Sequence, residues 1–289
     1  MKELISLVDK KLDEYLKITY PEDIFKSMKY TLMLPGKRLR PVMCLETTRM
    51  LGGDIEKALP TACAIEMLHV QSLIHDDLPC MDNDDFRRGK PSNHKVFGEA
   101  NAVLAGDALL TFAPQLIIEK SAGILPDEII LKLVHEYTKF AGAYALIAGQ
   151  VVDIESEGGK LTRSAEETLD FMHMNKTASL FRLPIRCGVI ISNKLECLDE
   201  LDNFAQKFGL AFQIYDDIMD EISTFEELGK TIGKDKDSAK LTYVSLYGLE
   251  EAKKKFGLLL EECYDIVVKY KSDVFKDILD KLRDRILGV

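Results

Sequence analysis

The sequence predicts an all-α fold, about a dozen helices in one domain spanning residues 1–289. Three observations predict it. Apolar residues recur at helical spacing along most of the chain, starting with Leu4, Val8, Leu12 and Leu16. No alternating Val/Ile/Thr run is bounded by hairpin turns, and Val189-Ile190-Ile191 fits a helix as well as a strand. No Pro/Ser/Gly-rich linker and no fixed-period repeat divides the chain.

Composition narrows the function classes. Apolar residues make up 46% of the chain and charged residues 30%, enough for a sizeable core and against long disordered stretches. A net charge of −10 argues against non-specific binding to nucleic acid or anionic lipid. Within this acidic chain, cations cluster at Lys37-Arg38-Leu39-Arg40, at Arg87-Arg88-Gly89-Lys90, and at Lys230, Lys234, Lys236 and Lys240. Such local patches suit a small polyanionic ligand. The six cysteines show no CxxC spacing and mostly sit in apolar runs, so they read as buried free thiols. The opening segment is an amphipathic helix rather than a signal peptide, and no uncharged apolar run reaches about 18 residues. No transmembrane segment is expected, and the expected location is the cytoplasm.

Taken in order, the first helix ends before Pro21 and the second breaks at Leu34-Pro35-Gly36. Lys37 and Arg40 stand at i, i+3 and converge on one anion if the turn continues helically; the alternative is a solvated turn. Pro41 fits the first turn of a third helix, which stops at Gly52-Gly53. Thr61 is the expected N-cap of the next helix, apolar on most sides, which runs into His75-Asp76-Asp77-Leu78-Pro79-Cys80-Met81-Asp82. His69 lies two turns before Asp76 on the same face; alone it would read as a satisfied core histidine, and the alignment raises a ligand-binding role.

The stretch Phe86–Lys95 reads as a donor-rich loop in which adjacent Arg87 and Arg88 point in different directions. A small-residue helix from Ala100 to Ile118 contains Gly106, and Gly142 and Gly149 also sit inside apolar helical stretches, where close helix packing retains glycine. Asp153 reads as a helix-end structural residue. Gly158-Gly159-Lys160 reads as a turn, and a helix from Ser164 carries Lys176 and Thr177. The helix from Leu201 to Ile222 holds the second acidic group: Gln213, Asp216, Asp217 and Asp220 fall at i, i+3, i+4 and i+7, one polar stripe. Like charges at this spacing destabilise a helix, and a hard dication accepting their oxygens reverses the sign. Two acid-bearing helices predict two walls of one magnesium site. A charged loop follows from Gly229 to Asp237, Lys240 opens the next helix, and Leu249 to Leu287 is helical and amphipathic.

The run DDLPCMDNDDFRRGKPSNHKVFGEANAVLAGDALL resembles the first aspartate-rich motif and following helix of the trans-isoprenyl diphosphate synthases. QIYDDIMD is similar to their second motif, and GKRLRP to their basic turn; the match runs in register from about Leu34 to Tyr247. The resemblance implies the isoprenoid synthase fold around a central cavity, a homodimer, and head-to-tail condensation of isopentenyl diphosphate with an allylic diphosphate. On the matching positions it implies magnesium, three ions by the family pattern, held by Asp76 and Asp82 and by Asp216 and Asp220, directly or through water. It implies the allylic diphosphate held by Arg87, Lys176, Gln213, Lys230 and Lys240, with Lys234 an alternative to Lys230. It implies isopentenyl diphosphate held by Lys37, Arg40, His69 and Arg88. The carbonyl of Lys176, the hydroxyl of Thr177 and the amide of Gln213 are implied to face the carbocation.

In the family, the residues four and five before the first aspartate form part of the cavity floor; here they are Ser72 and Gln71. Gln71 stands where many fifteen-carbon bacterial synthases place an aromatic, which favours a deeper pocket, while Phe112 is a candidate to close it. The expected product is farnesyl or geranylgeranyl diphosphate. A class I terpene cyclase is a rival reading, disfavoured by the second DDxxD and by Lys37, Arg40 and Arg88. A non-catalytic subunit of a heteromeric synthase is another, disfavoured because both acidic groups are intact.

Overall fold

A computed structural model describes residues 1–157, 162–222 and 241–288, with the backbone alone at 287. The described residues are almost wholly helical, as their periodicity predicts. They form two compact units, Met1–Thr138 with Ile190–Asn193, and Lys139–Val189 with Lys194–Val289.

In the first unit, α1 (Lys2–Tyr15) buries Leu4, Val8 and Leu12, the stripe read from the sequence. Helices α2 (Glu22–Leu32) and α3 (Leu39–Met50) follow, and then α4 (Ile55–Asp76). Helix α4 starts earlier than expected. Its N-cap is Asp54, whose carboxylate accepts from the Glu56 amide at 3.0 Å, and Thr61 lies buried in the helix interior. Pro60 lies inside this helix, past the first turn, where it leaves the Glu56 carbonyl without its usual intrahelical donor.

After α4 the chain makes a two-residue ribbon, β1 (Phe86–Arg87) against β2 (Lys90–Pro91), where only a loop was expected. Short α5 (Asn93–Phe97) anchors this ribbon: Asn93 accepts from the Ser27 hydroxyl at 2.8 Å and donates to Ser27 O and Thr31 Oγ1 at 2.9 Å each. Helix α6 (Glu99–Ser121) buries Ala102, Ala105, Gly106, Leu109 and Ala113, and packs on α4. Over its 23 residues it is long and apolar enough to cross a membrane by length and composition alone, although Asp107 interrupts it, so that no uncharged run of about 18 residues occurs there. A core helix meets the same test because packing against an apolar partner demands the same composition. Helix α7 (Asp127–Ala141) completes the succession and runs into the second unit.

In the second unit, α8 (Leu146–Glu157) precedes α9 (Ala165–Met172), which opens with a full capping box between Ser164 and Glu167. One π-helical turn, His173–Ala178, joins α9 to α10 (Ser179–Ile191). The long α11 (Leu198–Ile222) is followed by α12 (Tyr243–Tyr247), α13 (Leu249–Tyr270) and α14 (Asp273–Leu287). The last two are separate helices: Lys271 adopts a left-handed conformation (φ 54°) and Ser272 caps α14. Aromatic rings form the core, with Phe181 on Phe208 at 5.0 Å and Phe204 on Phe275 at 5.4 Å between centroids. Arg182 grips Asp202 through two bonds of 2.9 and 2.7 Å, fastening α10 to α11.

Candidate functional site

The first acidic group sits where α4 ends. Asp76 is half-buried and Asp82 exposed, with the Asp82 amide donating to Asp76 O at 2.8 Å. That bond, with the Asp84 amide on Asp77 O at 3.2 Å, folds the loop back over the helix end. Asp77 points the other way. It is buried, and Arg87 binds it through Nε at 2.9 Å and also through Nη2, which reaches Asp84 Oδ2 at 3.3 Å. Burial raises the Asp77 carboxyl above its ordinary range and the Arg87 guanidinium opposes that rise. The other acids of the group are partnered differently: Asp85, exposed, meets Lys95 at 2.7 Å.

Arg88 diverges from Arg87, as the sequence led us to expect. It adopts φ 53° and donates to Leu34 O at 3.2 Å, with Glu66 3.8 Å away. Gly36 makes room for it: a Cβ there would lie 2.7 Å from Arg88 Nη1. The basic turn does not continue helically. Arg38 takes a left-handed conformation (φ 47°) that starts α3, which leaves Lys37 outside the helix and exposed. Arg38 is turned inward, bonded to Asp9 and Glu66 at 2.7 Å each and to the carbonyls of Leu32 and Leu34. It is therefore the keystone of the turn, while Lys37 and Arg40 remain on either side. Arg40 Nη1 lies 3.4 Å from His69 Nε2. Burial, then the charges of Arg40, Arg88, Arg87 and Arg38, push the His69 imidazole well below its usual pKa, so it is neutral and accepts from Arg40.

Gln71 is buried on α4 and its amide lies 3.1 Å from His75 Nδ1, while His75 Nε2 lies 3.1 Å from Val103 O. The carbonyl can only accept, so His75 carries its proton on Nε2 and accepts from Gln71 on Nδ1. Gly106 is required here, since a Cβ would fall 2.0 Å from that imidazole.

The second unit brings Lys176, Thr177, Gln213 and the second acidic group together. The π-turn presents Lys176 and Thr177; such turns leave the backbone ladder locally misregistered and recur at functional sites. Gly149 permits the turn to approach α8, because a Cβ would lie 2.3 Å from the Lys176 amide nitrogen. Lys176 pairs with buried Asp153, which is thus a partner of the lysine inside α8 rather than a helix-end residue. Thr177 donates to Gln213 Oε1 at 2.5 Å, and Gln213 Nε2 donates to Asp217 Oδ1 at 2.9 Å. Asp216 and Asp220 are half-buried, one turn apart on α11. Asp217 leaves their stripe: it is buried and accepts the Tyr243 amide at 2.7 Å, starting α12. Lys230, Lys234 and Lys240, the charged loop around them, and the Gly158-Gly159-Lys160 turn lie outside the described residues.

The polyprenyl synthetase family model matches residues 21–282. The chain belongs to the polyprenyl synthetase family. It is 45% identical to the farnesyl diphosphate synthase of Geobacillus stearothermophilus over 90% of this chain and 88% of that one. It is 43% identical to the geranylgeranyl diphosphate synthase of Cyanophora paradoxa, covering 92% and 88%. Its structure superposes with a TM-score of 0.83 and 32% identity on the Helicobacter pylori geranyltransferase solved with magnesium and isoprenyl diphosphate, covering 99% and 95%. The chain is a short-chain trans-prenyltransferase, and its all-α architecture is the isoprenoid synthase fold.

Several residues beside these groups were not legible in the sequence of this polyprenyl synthetase family member. Glu66, His173 and the inward role of Asp217 lie in apolar or acidic helices where spacing alone gives no partner. Gly149 and Gly106 did carry a signal: each interior glycine marks a close approach, Gly149 to the Lys176 backbone and Gly106 to the His75 ring. The thiols split, with Cys44, Cys63, Cys187 and Cys263 buried, Cys197 half-buried and Cys80 exposed beside the first acidic group.

Proposed function

We propose that this prenyltransferase joins isopentenyl diphosphate to dimethylallyl, geranyl or farnesyl diphosphate, giving farnesyl or geranylgeranyl diphosphate, and that the chain acts as one catalytic domain. The family match across residues 21–282, through both acidic groups, carries the reading. Asp76 and Asp82, and Asp216 and Asp220, are the carboxylates assigned to magnesium, with three ions expected. The donor set fits: all are hard oxygen ligands. Among the described residues no three His, Cys, Asp or Glu side chains form a ready metal-binding group. Magnesium takes one or two carboxylates and completes its shell with water and substrate phosphate. When bound, the ions offset charge that builds on the diphosphate as the allylic carbon–oxygen bond breaks.

Arg87, Lys176 and Gln213, with Lys230 and Lys240, are assigned to the allylic diphosphate, Lys234 being the alternative to Lys230. Lys37, Arg40, His69 and Arg88 are assigned to isopentenyl diphosphate. Asp77 sets the direction of Arg87, and neutral His69 sets that of Arg40. The Lys176 carbonyl, Thr177 hydroxyl and Gln213 carbonyl are the negative dipole ends placed near the allylic cation. The isopentenyl double bond closes the new carbon–carbon bond, and the departing diphosphate takes the proton released. A homodimer in the cytoplasm completes the reading. Leu104 and Ile118, about four turns apart on α6, and Leu131 on α7 remain exposed and are surface for a second copy to cover.

Asp76→Asn and Asp216→Asn are each expected to lower turnover at least a hundredfold, with Asp85→Asn, altering an exposed ion pair, within a few-fold of the parent. Steady-state condensation rates check this; an unimpaired Asp76→Asn enzyme would refute the assignment.

A further inference from the structure

Resting on that reading, we infer that Asp217 is a positioning residue: it fixes which end of the Gln213 amide faces Thr177. An amide side chain has two nearly isosteric ends, one donating and one accepting, and turning it over reverses its dipole. Asp217 removes the choice. It is buried, a carboxylate only accepts, and one of its oxygens is already engaged by the Tyr243 amide at 2.7 Å. The other lies 2.9 Å from Gln213 Nε2, so the NH2 end must face α11 and Oε1 must face the π-turn, where it receives the Thr177 hydroxyl at 2.5 Å. His173, from the same turn, lies beside Asp217 with Nε2 at 3.8 Å. The chain of donors therefore runs one way, from Thr177 to Gln213 to Asp217. An oxygen, not an N–H, is presented beside the proposed cation site.

Polarity can be tested by exchange. Asp217→Asn supplies an NH2 that can donate to Gln213 Oε1, allowing the amide to turn and bring its N–H towards Thr177. Asp217→Glu keeps an acceptor-only group at the same helix position and leaves Gln213 as it is. The expected result is a kcat lowered on the order of ten- to a hundredfold in Asp217→Asn, with KM for isopentenyl diphosphate and the melting temperature little changed, and a clearly smaller loss of kcat in Asp217→Glu. An Asp217→Asn enzyme with unchanged kcat overturns the inference, as does an Asp217→Glu enzyme impaired as much as Asp217→Asn. If Asp217→Asn does not fold, Asp217→Glu against the parent decides alone, a loss of about tenfold or more overturning the inference. A parent enzyme that makes no prenyl diphosphate would instead fail the functional reading.

Discussion

Arg87 Nε donates to Asp77 Oδ1 at 2.9 Å, across the loop that closes the end of α4. The second carboxylate of the first acidic group therefore faces inward and aims an arginine, while Asp76 and Asp82 are the pair assigned to metal. Removing one partner of a buried charge pair costs about 3–5 kcal/mol, chiefly because the other is stranded. Arg87 is partly exposed and can rehydrate, so the expected loss for Asp77→Ala is nearer the lower end. Urea denaturation reads that loss, and the same variant is expected to raise KM for the allylic diphosphate more than for isopentenyl diphosphate. Equal effects on both would contradict the role given to Arg87.

Gly106→Ala tests the packing of α6 on α4. The added Cβ would lie 2.0 Å from His75 Nε2 and 2.3 Å from its Cδ2, so the ring must move. Overpacking of this kind costs about 1–3 kcal/mol. Stability measured by chemical denaturation is expected to fall by that amount and to recover in Gly106→Ala with His75→Ala, which removes the obstructing ring. No recovery would show that the strain lies elsewhere.

Gln71→Tyr tests the floor assignment. Gln71 is buried and tethered to His75, so a larger ring there must project further. If Gln71 bounds the pocket, the variant shortens the product, shifting any twenty-carbon output to fifteen carbons. Chromatography of the dephosphorylated alcohols reports the shift, and an unchanged product length defeats the assignment.

Acid stability has a definite sign. Burial lowers the His173 imidazole from its ordinary 6.5 to about 4. Between those values the unfolded chain binds a proton that the folded chain refuses, so stability falls as pH drops from about 6.5 to about 4 and is fully present above. The contribution is about 3 kcal/mol across that interval, and His69, also held neutral, adds in the same direction. Denaturation at pH 7 and pH 5 is expected to show a smaller loss in His173→Gln than in the parent. Equal losses would remove His173 from the account.

How far the sequence speaks depends on the kind of information each residue carries. Helix α1 was readable because Leu4, Val8 and Leu12 form a one-sided stripe, and α9 because Ser164 and Glu167 make a local capping box. The acidic groups were readable because like charges crowded on apolar helices demand a partner. Three-dimensional pairing was not. Arg38 stood in the same basic cluster as Lys37 and Arg40, yet its left-handed backbone turns it onto Asp9 and Glu66, residues distant in the chain. Asp217 shares its spacing with Asp216 and Asp220, and its assignment to Gln213 and Tyr243 depends on where α12 begins. The π-turn has no sequence mark of its own, and only Gly149 points to it.

The most direct test incubates the purified protein with labelled isopentenyl diphosphate and each of dimethylallyl, geranyl and farnesyl diphosphate, with magnesium and with a chelator. The account predicts labelled fifteen- or twenty-carbon prenyl diphosphate with magnesium and none with chelator. Incorporation that persists without the metal, or release of unlabelled cyclic hydrocarbon in place of chain elongation, would contradict it.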